Sequence, residues 1–312
     1  MYGTLLTSQF NYQLFNFAVG LMNDAKQTIE VAELLAPSVV VPGAHGQYKQ
    51  FNDANSFRTY TTERAIGGGA TRIAFSASDA YFNCKPQALE VGIDVEEENQ
   101  AGEQGVGLLR ESKVRALVNG KLLSHTFDLF TYVAANVTAT AGIGNFSNPD
   151  IDPIAQISGE VRDLSTDVGT LSNVNALISI DAWLAIINNK QVKERTKYSQ
   201  AVPLTEDQFG LQMLGIPIKT KIFSIVTDTA GLGQTTATKR RIATGDIYLF
   251  YSVPNPSVYD PSAFKTFTTK PAFIDGVRQY PTPDNRQMIY ALDWSRQFVK
   301  TSALSVRRIT VT

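Results

Sequence analysis

The order of four unlike segments constrains the fold of this chain more than any single motif does. A polar β-hairpin pattern comes first, followed by a long amphipathic helix pattern, a compact α/β stretch and a closing strand pattern without an obvious partner in its own half. These segments cover residues 57–82, 107–135, 153–270 and 287–312. A hairpin that projects ahead of a long helix is unfavourable in a monomer, so the order predicts a subunit that interlocks with neighbouring copies.

The composition favours a chain that buries much of its surface against partners. Of the 312 residues, 43% are hydrophobic and only 18% are charged, which is below the roughly 25% usual for soluble domains. With 28 basic and 29 acidic residues the formal net charge is -1, which argues against a general nucleic-acid-binding protein. An ordinary globular enzyme is equally compatible with these values.

Cys84 is the only cysteine, so the sequence allows no intramolecular disulfide and no cysteine-based zinc site. We interpret it as a buried, small apolar side chain, and the low thiol content fits assembly in a reducing compartment. No stretch reaches about 18 consecutive apolar residues, so we expect no transmembrane helix. We also expect no signal peptide, because the first residues lack a basic segment.

Residues 58–78 have the pattern of two strands joined by a flexible tip. The flanks are rich in Thr, Tyr, Ile and Phe, and Gly67, Gly68 and Gly69 stand between them. Three adjacent glycines predict a mobile tip, because glycine has high backbone freedom. The hairpin has no apolar face of its own, and an isolated hairpin is marginal in water. We therefore expect it to be flexible or held by another molecule.

Residues 1–27 carry scattered aromatic side chains among Asn and Gln, without a regular period. This pattern predicts an extended arm that lies on a neighbouring molecule rather than a segment with its own core. A frayed terminus is the alternative interpretation.

A long amphipathic helix is predicted over 107–135, where it would be roughly 40 Å long. Gly120 costs about 1 kcal/mol relative to alanine and marks a position where the helix can bend. The acidic run Glu96, Glu97 and Glu98 predicts a solvated turn or a partner for a neighbour's arginine. The apolar stripe with helical spacing consists of Val114, Leu117, Val118, Leu122, Leu129 and Val133.

An α/β unit is predicted after a linker at 138–148, because strand and helix patterns alternate there. Asp152 and Pro153 are expected to open a helix as N-cap and first residue. Asp181 is expected to cap the helix that follows the buried strand 175–180. The remaining predicted elements are strand 88–95, a short helix with a capping box at Thr205 and Gln208 that stops at Gly215, and strands 221–226, 247–253, 288–294 and 298–312.

The sequence carries no recognisable catalytic or metal-binding motif. Its two histidines belong neither to an HExxH motif nor to a recognisable triad. His125 falls on the apolar face of the predicted helix and is interpreted as buried and satisfied, whereas His45 is interpreted as a surface residue. The glycine-rich stretch 231–236 lacks the ending of a phosphate loop, and the basic run 239–241 is interpreted as part of a solvated loop.

Local similarities to one family occur in that family's order along nearly the whole chain from about residue 28. The chain resembles the major capsid proteins of tailed phages with the HK97 fold. The resemblance lies in residues 56–65 with the glycine tip (the projecting E-loop), 78–84 and 87–90 (the strand returning from it), 107–135 (the spine helix), and 175–184, 192–195, 251–256 and 264–267 (the axial domain).

The resemblance implies an α+β, HK97-like capsid fold. It would comprise an N-terminal arm (1–27), a first peripheral segment (28–50), the E-loop hairpin (51–85), the peripheral domain with its spine helix (86–137), an α/β axial domain (138–274) and return strands of the peripheral domain (275–312).

The resemblance also implies a structural role without catalysis, cofactor or metal. Hexamers and pentamers of the chain would form an icosahedral head around phage double-stranded DNA, with only non-specific DNA contact and no membrane. Separate scaffolding and portal proteins, and cement or decoration proteins, are the implied partners. The shell would assemble in the host cytoplasm and become the capsid of the virion.

The sequence departs from the family pattern in two respects, and each departure predicts something about how the shell is stabilised or assembled. Some members cross-link a lysine of the projecting loop to a neighbour's asparagine, but no lysine lies between Phe51 and Cys84 here. We therefore expect noncovalent contacts or a separate cement protein to stabilise the shell. About 27 residues precede the folded part, which is too short for an N-terminal scaffolding segment, so a separate scaffolding protein is expected.

Contacts between subunits are expected at the hairpin. The candidate residues are Arg58, Arg64 and Arg72 with the tip glycines Gly67, Gly68 and Gly69, and a neighbour's Glu96, Glu97 and Glu98. Two alternative functions stay open at this point. One is the shell of an encapsulin-like bacterial nanocompartment with the same fold, and the other is an α/β enzyme that uses carboxylates within residues 150–270.

Overall fold

Two large β-sheets and one long helix organise the chain. The computed structural model describes residues 9–10, 26–51, 59, 62–64, 66–72, 77–198, 209–230, 236, 238–270 and 276–312. The helices are α1 (Lys26–Leu35), α2 (Val95–Asn136), α3 (Pro153–Val168), α4 (Ile180–Asn188) and α5 (Lys190–Tyr198), with a π-helical segment at Phe209–Leu214.

The strands fall into two large sheets and two two-stranded ribbons. They are β1 (Gln9–Phe10), β2 (Ser38–Val40), β3 (His45–Phe51), β4 (Ala77–Asn83), β5 (Lys85–Asp94), β6 (Val174–Ser179), β7 (Lys219–Phe223), β8 (Val226–Asp228), β9 (Lys239–Arg241), β10 (Asp246–Tyr251), β11 (Phe264–Thr268), β12 (Arg278–Pro281), β13 (Gln287–Lys300) and β14 (Val306–Thr310).

The six-stranded sheet is built around β13. Its order is β1-β12-β13-β11-β2, and β5 pairs with the opposite edge of β13 in antiparallel register from Gln287 opposite Asp94 to Arg296 opposite Lys85. The closing strand pattern thus takes a partner from the N-terminal half of the chain. It also pairs with β11 and β12 from its own half, which the sequence pattern did not reveal.

The four-stranded sheet has the order β14-β10-β6-β7 and is covered on both faces. Helices α3 and α4 pack on one face through a cluster that includes Ile157 and Ile178. Helix α1 and the end of α2 pack on the other face, where Leu177 and Tyr248 are buried. Every residue of β6 is buried because both faces are covered, which explains its apolar run Ala176, Leu177 and Ile178.

Helix α2 connects the two sheets. All six residues of the predicted apolar stripe are buried. The N-terminal part of the stripe packs on the six-stranded sheet, where Val118 and Leu122 share a cluster with Tyr290 and Leu292. The C-terminal part packs on the four-stranded sheet, where the Phe130 ring stacks on Phe223 at 5.0 Å.

The predicted starts of α3 and α4 have different outcomes in the structure. Helix α3 begins as expected, because the Asp152 side chain accepts a hydrogen bond from the Ile154 N–H at 3.0 Å and Pro153 is the first residue. The predicted N-cap at Asp181 is wrong. Ser179 caps α4 instead, since its hydroxyl accepts from the Ala182 N–H. The capping box at Thr205 and Gln208 lies outside the described residues.

The boundary expected at residue 274 does not separate the two sheets. β11, placed before that boundary, pairs with β13 in the six-stranded sheet, whereas β14, placed after it, joins the four-stranded sheet. The predicted linker 138–148 lies in the loop between α2 and α3 and is bonded to the C-terminal end of the chain. The Thr140 N–H donates to the Arg308 carbonyl oxygen at 2.8 Å, and Gly144 accepts from the Thr312 N–H at 3.0 Å. Sheet membership is set by long-range pairing, which local pattern does not encode.

The predicted N-terminal arm is described only at β1, where Gln9 and Phe10 pair with Gln279 and Arg278 of the same chain. Residues 1–8 and 11–25 lie outside the described residues, so contact of the arm with a neighbour stays a prediction. The strands of the predicted hairpin are placed differently from the expectation. The paired strands β3 and β4 form its base, and the described residues between 52 and 76 contain no strand.

Candidate functional site

The base of the predicted hairpin packs against β11 of the six-stranded sheet. Strands β3 and β4 pair from His45 opposite Asn83 to Phe51 opposite Ala77. Phe82 is buried and lies 4.6 Å from the Phe267 ring of β11. The backbone at Gly46 approaches the Phe82 ring so closely that an added Cβ would lie 2.6 Å from Phe82 Cζ. A small apolar cluster therefore fixes where the hairpin leaves the sheet.

The tip of the hairpin is largely exposed in its described part, with Gly68 half-buried. Ile66 and Gly67 form a turn in which Gly67 has φ of 82°, a conformation that suits glycine. Ile66 has a relative exposure of 107%, and a Cβ added at Gly67 or Gly69 would meet no heavy atom within 4 Å. Arg64 Nη1 donates to the Gly68 carbonyl oxygen at 2.9 Å, which is a contact within the tip itself. The side chain of Ile66 thus faces solvent, whereas that of Arg64 is bound within the tip.

The predicted contact residues of the hairpin are only partly described. Arg64 and Arg72 are exposed, as are Gly67 and Gly69, whereas Gly68 is half-buried. Arg58 lies outside the described residues. Ile66 was not among the predicted contact residues, although a large apolar residue beside the glycines was a signal that could have identified it.

The acidic run occupies the first turn of α2 and not a solvated turn, so that interpretation is wrong. Asp94 is the N-cap and accepts from the Glu96 N–H at 2.9 Å. Glu96, Glu97 and Glu98 follow it, where negative charge is favourable because the unpaired N–H groups of the helix carry partial positive charge. The local sequence of an Asp cap and three glutamates therefore starts the helix at Val95, twelve residues before the predicted start at Gly107 (107 − 95 = 12).

Two of these glutamates have partners within the chain. Glu98 Oε1 accepts from Arg110 Nη2 at 2.9 Å, and Glu97 Oε1 lies 2.9 Å from Lys113 Nζ. Among the ion pairs between described residues, none joins the acidic run to an arginine of the hairpin. Within one chain the structure therefore does not bring together the two groups that the sequence singled out.

The same ion pairs show that α2 is bent near its start. In a straight helix the 16 positions from Glu97 to Lys113 (113 − 97) would span about 24 Å, far more than two side chains can bridge. The helix therefore turns back between Glu98 and Arg110. The sequence places Gly102, Gly105 and Gly107 in this interval, and glycine is a common cause of sharp bends. This bend precedes Gly120, the position that the sequence suggested.

The two histidines lie in different surroundings. His125 is buried, with its ring 5.3 Å from the ring of Phe298, as the helix position predicted. Burial and the positive charges of Arg296 and Lys121 lower its pKa well below the ordinary value of 6.5. His45 is exposed at the start of β3. Cys84 is buried, in agreement with its predicted role as a small apolar side chain.

The described part of the chain has neither a metal-ion cluster nor a membrane-spanning helix. No cluster of three His, Cys, Asp or Glu side chains there is arranged to hold a metal ion. None of the described helices combines the length and the apolar character needed to span a bilayer. The basic run expected in a solvated loop forms the exposed strand β9, which pairs with β8, and residues 231–235 lie outside the described residues.

Comparison with known proteins identifies the fold. No protein-family model and no curated protein matches the sequence. A phage-related protein from Bordetella bronchiseptica RB50 superposes with a TM-score of 0.71 at 21% identity, covering 97% of both chains. The mature capsid of bacteriophage PhiM1 gives 0.52 at 13% identity, covering 88% of this chain and 84% of that one. A virus-like particle from Pyrococcus furiosus gives 0.51 at 8% identity, covering 95% and 97%.

These likenesses extend over nearly the whole chain, although the sequences have diverged widely. The chain therefore has the α+β, HK97-type capsid fold that its sequence predicted. At this level of identity the similarity concerns the fold, and function has to be argued separately from the site.

Proposed function

We propose that this chain is the major capsid protein of a tailed, double-stranded DNA bacteriophage. Many copies assemble into an icosahedral shell through hexamers and pentamers, and the role is structural rather than enzymatic. The observation that carries the proposal is the hairpin with an anchored base and an outward-facing tip, on a fold shared with a phage capsid along most of the chain. The fully exposed Ile66 gains no burial in an isolated subunit and would gain it against a neighbour in a lattice.

The tip contacts a neighbouring subunit in this proposal. Arg58, Arg64 and Arg72 approach the neighbour's acidic helix start, and Ile66 enters an apolar site beside it. Each exposed ion pair contributes only about 0–1 kcal/mol, but the contact is repeated at every subunit of a closed lattice. The arm within residues 1–27 reaches another neighbour. Scaffolding, portal and cement proteins act as partners, the shell assembles in the host cytoplasm, and it encloses DNA without specific recognition.

Electron microscopy of the purified recombinant protein, with and without nuclease treatment, tests the shell proposal. We expect closed shells or tubes, and DNA that survives nuclease only inside closed particles. A small monodisperse oligomer at all concentrations, also in the presence of a co-expressed scaffolding protein, would contradict it.

A nanocompartment shell is the second candidate, and the likeness to a virus-like particle supports it. Closed shells that exclude DNA and retain a co-purifying protein would favour this candidate over a phage head. The nuclease treatment in the same experiment therefore distinguishes a phage head from a nanocompartment.

Charge reversal tests the proposed contact between the hairpin and the acidic run. We expect the double variant Arg64→Glu, Arg72→Glu to lose shell assembly, because it places like charges opposite the neighbour's glutamates. Adding Glu96→Arg to the same chain should restore part of the assembly. Arg162→Glu is the matched control, since Arg162 is exposed on α3 and pairs only with the adjacent Asp163. Normal shells from the double variant would exclude this contact.

A further inference from the structure

The C-terminal end of α2 is the place where the two large sheets meet. From the six-stranded sheet, Lys300 of β13 donates its Nζ to the Asn136 carbonyl oxygen at 2.8 Å. From the four-stranded sheet, Arg308 of β14 directs Nη1 at the carbonyl oxygens of Ala134 and Val137, at 3.4 and 3.5 Å. Two cations from two sheets thus converge on the last turn of one helix, where the unpaired carbonyl groups favour positive charge.

Asp246 holds the Arg308 guanidinium in one orientation. Nε and Nη2 of Arg308 donate to the two carboxylate oxygens of Asp246, each at 3.0 Å. The Thr310 and Tyr248 hydroxyls donate to the same carboxylate at 2.9 and 3.1 Å. The Asp246 side chain is only 8% exposed and that of Arg308 19%, so the pair is shielded from water. A bidentate, charge-assisted pair in this setting fixes direction as well as distance.

Backbone contacts attach both sides of the junction to the helix. The Lys300 N–H donates to the Tyr132 hydroxyl at 3.1 Å, one turn before the end of α2. On the other side, the Thr140 N–H just after the helix donates to the Arg308 carbonyl oxygen at 2.8 Å. The end of α2 is therefore bonded to the last residue of β13 and to the centre of β14.

We propose that this junction, formed by Lys300, Arg308 and Asp246 around the last turn of α2, sets the angle between the two large sheets and thereby the curvature of the assembled shell. The part that concerns shell curvature rests on the proposed function. Apolar packing of Phe130 and Val133 also holds the helix on the four-stranded sheet, but apolar contact is non-directional. The hydrogen bonds to the helix end add a directional constraint to the direct backbone bond between the sheets, in which the Ala263 N–H donates to the Tyr251 carbonyl oxygen at 2.9 Å.

Curvature follows from the intramolecular angle because a closed lattice repeats it in every subunit. A small change of this angle accumulates around the shell and alters its diameter or prevents closure. A junction that fixes the angle narrowly therefore yields particles of one size, and a loosened junction yields a broader range of sizes.

The proposed control of the angle between the two sheets is tested on the unassembled subunit. Spin labels at Ala88→Cys on β5 and Ala155→Cys on α3, both exposed positions, report the distance between the sheets, while Cys84 is buried. We expect Arg308→Lys to broaden the distance distribution, because an ammonium group lacks the planar fork with which the guanidinium binds both oxygens of Asp246 and still faces the helix carbonyls.

Arg307→Lys is the matched control, since Arg307 lies on the same strand but pairs with Asp167 of α3, within the unit of the four-stranded sheet. If Arg308→Lys does not fold, Lys300→Met tests the other side of the junction and should broaden the distribution as well. Distributions indistinguishable from that of the control in the variants that fold would overturn the proposal.

The diameter of assembled shells tests the proposed effect of the junction on curvature. We expect Arg308→Lys to give a broader diameter distribution than Arg307→Lys in electron micrographs of assembled particles. Absence of shells from the unmodified chain would count against the proposed function, whereas equal diameters in the two variants would count against the junction alone.

Discussion

The four-stranded sheet and the hairpin tip differ in how far their side chains are buried within the subunit. Every residue of β6 is buried between two layers of helices, whereas Ile66, Gly67 and Gly69 at the tip are exposed. In the sheet, burial of apolar area stabilises the fold of one subunit. At the tip, Ile66 is fully exposed and contributes nothing comparable within its own chain. The contrast indicates that the sheet serves folding and that the tip is available to a second molecule.

The largest expected effect is a change in the core between α2 and the four-stranded sheet. Phe130 is buried between Phe223 and Tyr248, at ring distances of 5.0 and 5.7 Å. We expect Phe130→Ala to lower the free energy of unfolding by about 3–5 kcal/mol, because it removes apolar contact and leaves a cavity. Urea denaturation of the unassembled chain measures it.

Phe127→Ala on the same helix is the control for this substitution. Phe127 is 43% exposed, and we expect a change within about 0.5 kcal/mol. Equal losses in the two variants would mean that α2 does not use Phe130 to hold the four-stranded sheet.

An intermediate effect is expected where the hairpin base meets the sheet. At Gly46, an added Cβ would lie 2.6 Å from the buried Phe82 ring, so Gly46→Ala overpacks the anchor and should cost about 1–3 kcal/mol. Gly69→Ala is its counterpart at the tip, where no heavy atom would lie within 4 Å, and a change within about 0.5 kcal/mol is expected. Thermal unfolding compares the two. A Gly69→Ala loss as large as that of Gly46→Ala would show that the tip is packed against its own chain.

A smaller, pH-dependent effect is expected at His125. Because its pKa is lowered in the folded chain, the unfolded chain binds a proton near pH 6.5 that the folded chain does not bind. Stability contributed by neutral His125 is therefore present above about pH 6.5 and falls below it, by at most about 1.4 kcal/mol per pH unit. We expect His125→Gln to show a shallower loss of stability between about pH 6.5 and 5.5. Identical slopes in the two proteins would contradict this.

Local chemistry accounts for the parts of the fold that the sequence predicted well. The Asp152-Pro153 pair is a self-contained start signal, and the apolar stripe of α2 repeats over several turns, so both were predictable without knowledge of distant partners. The resemblance to one family supplied the global architecture, which no local pattern contains.

Long-range pairing accounts for most of the differences. Residues 264–267 and 298–312 carry no local signal of their sheet, and only their partners decide that β11 joins the six-stranded sheet and β14 the four-stranded sheet. The start of α2 was missed because Gly102, Gly105 and Gly107 interrupt the helical pattern, while ion pairs from Arg110 and Lys113 hold the preceding turn in place. At the tip, Ile66 stands beside three glycines in the sequence, and the structure establishes that its side chain is fully exposed.

The most direct test of the account is deletion of residues 66–70, with unfolding and assembly measured on the same preparation. We expect the unassembled variant to keep the urea midpoint of the unmodified chain, since the tip makes no contribution to the core. We also expect electron microscopy to find no closed shells. Closed shells of normal diameter from the deletion variant would contradict the claim that the tip serves assembly.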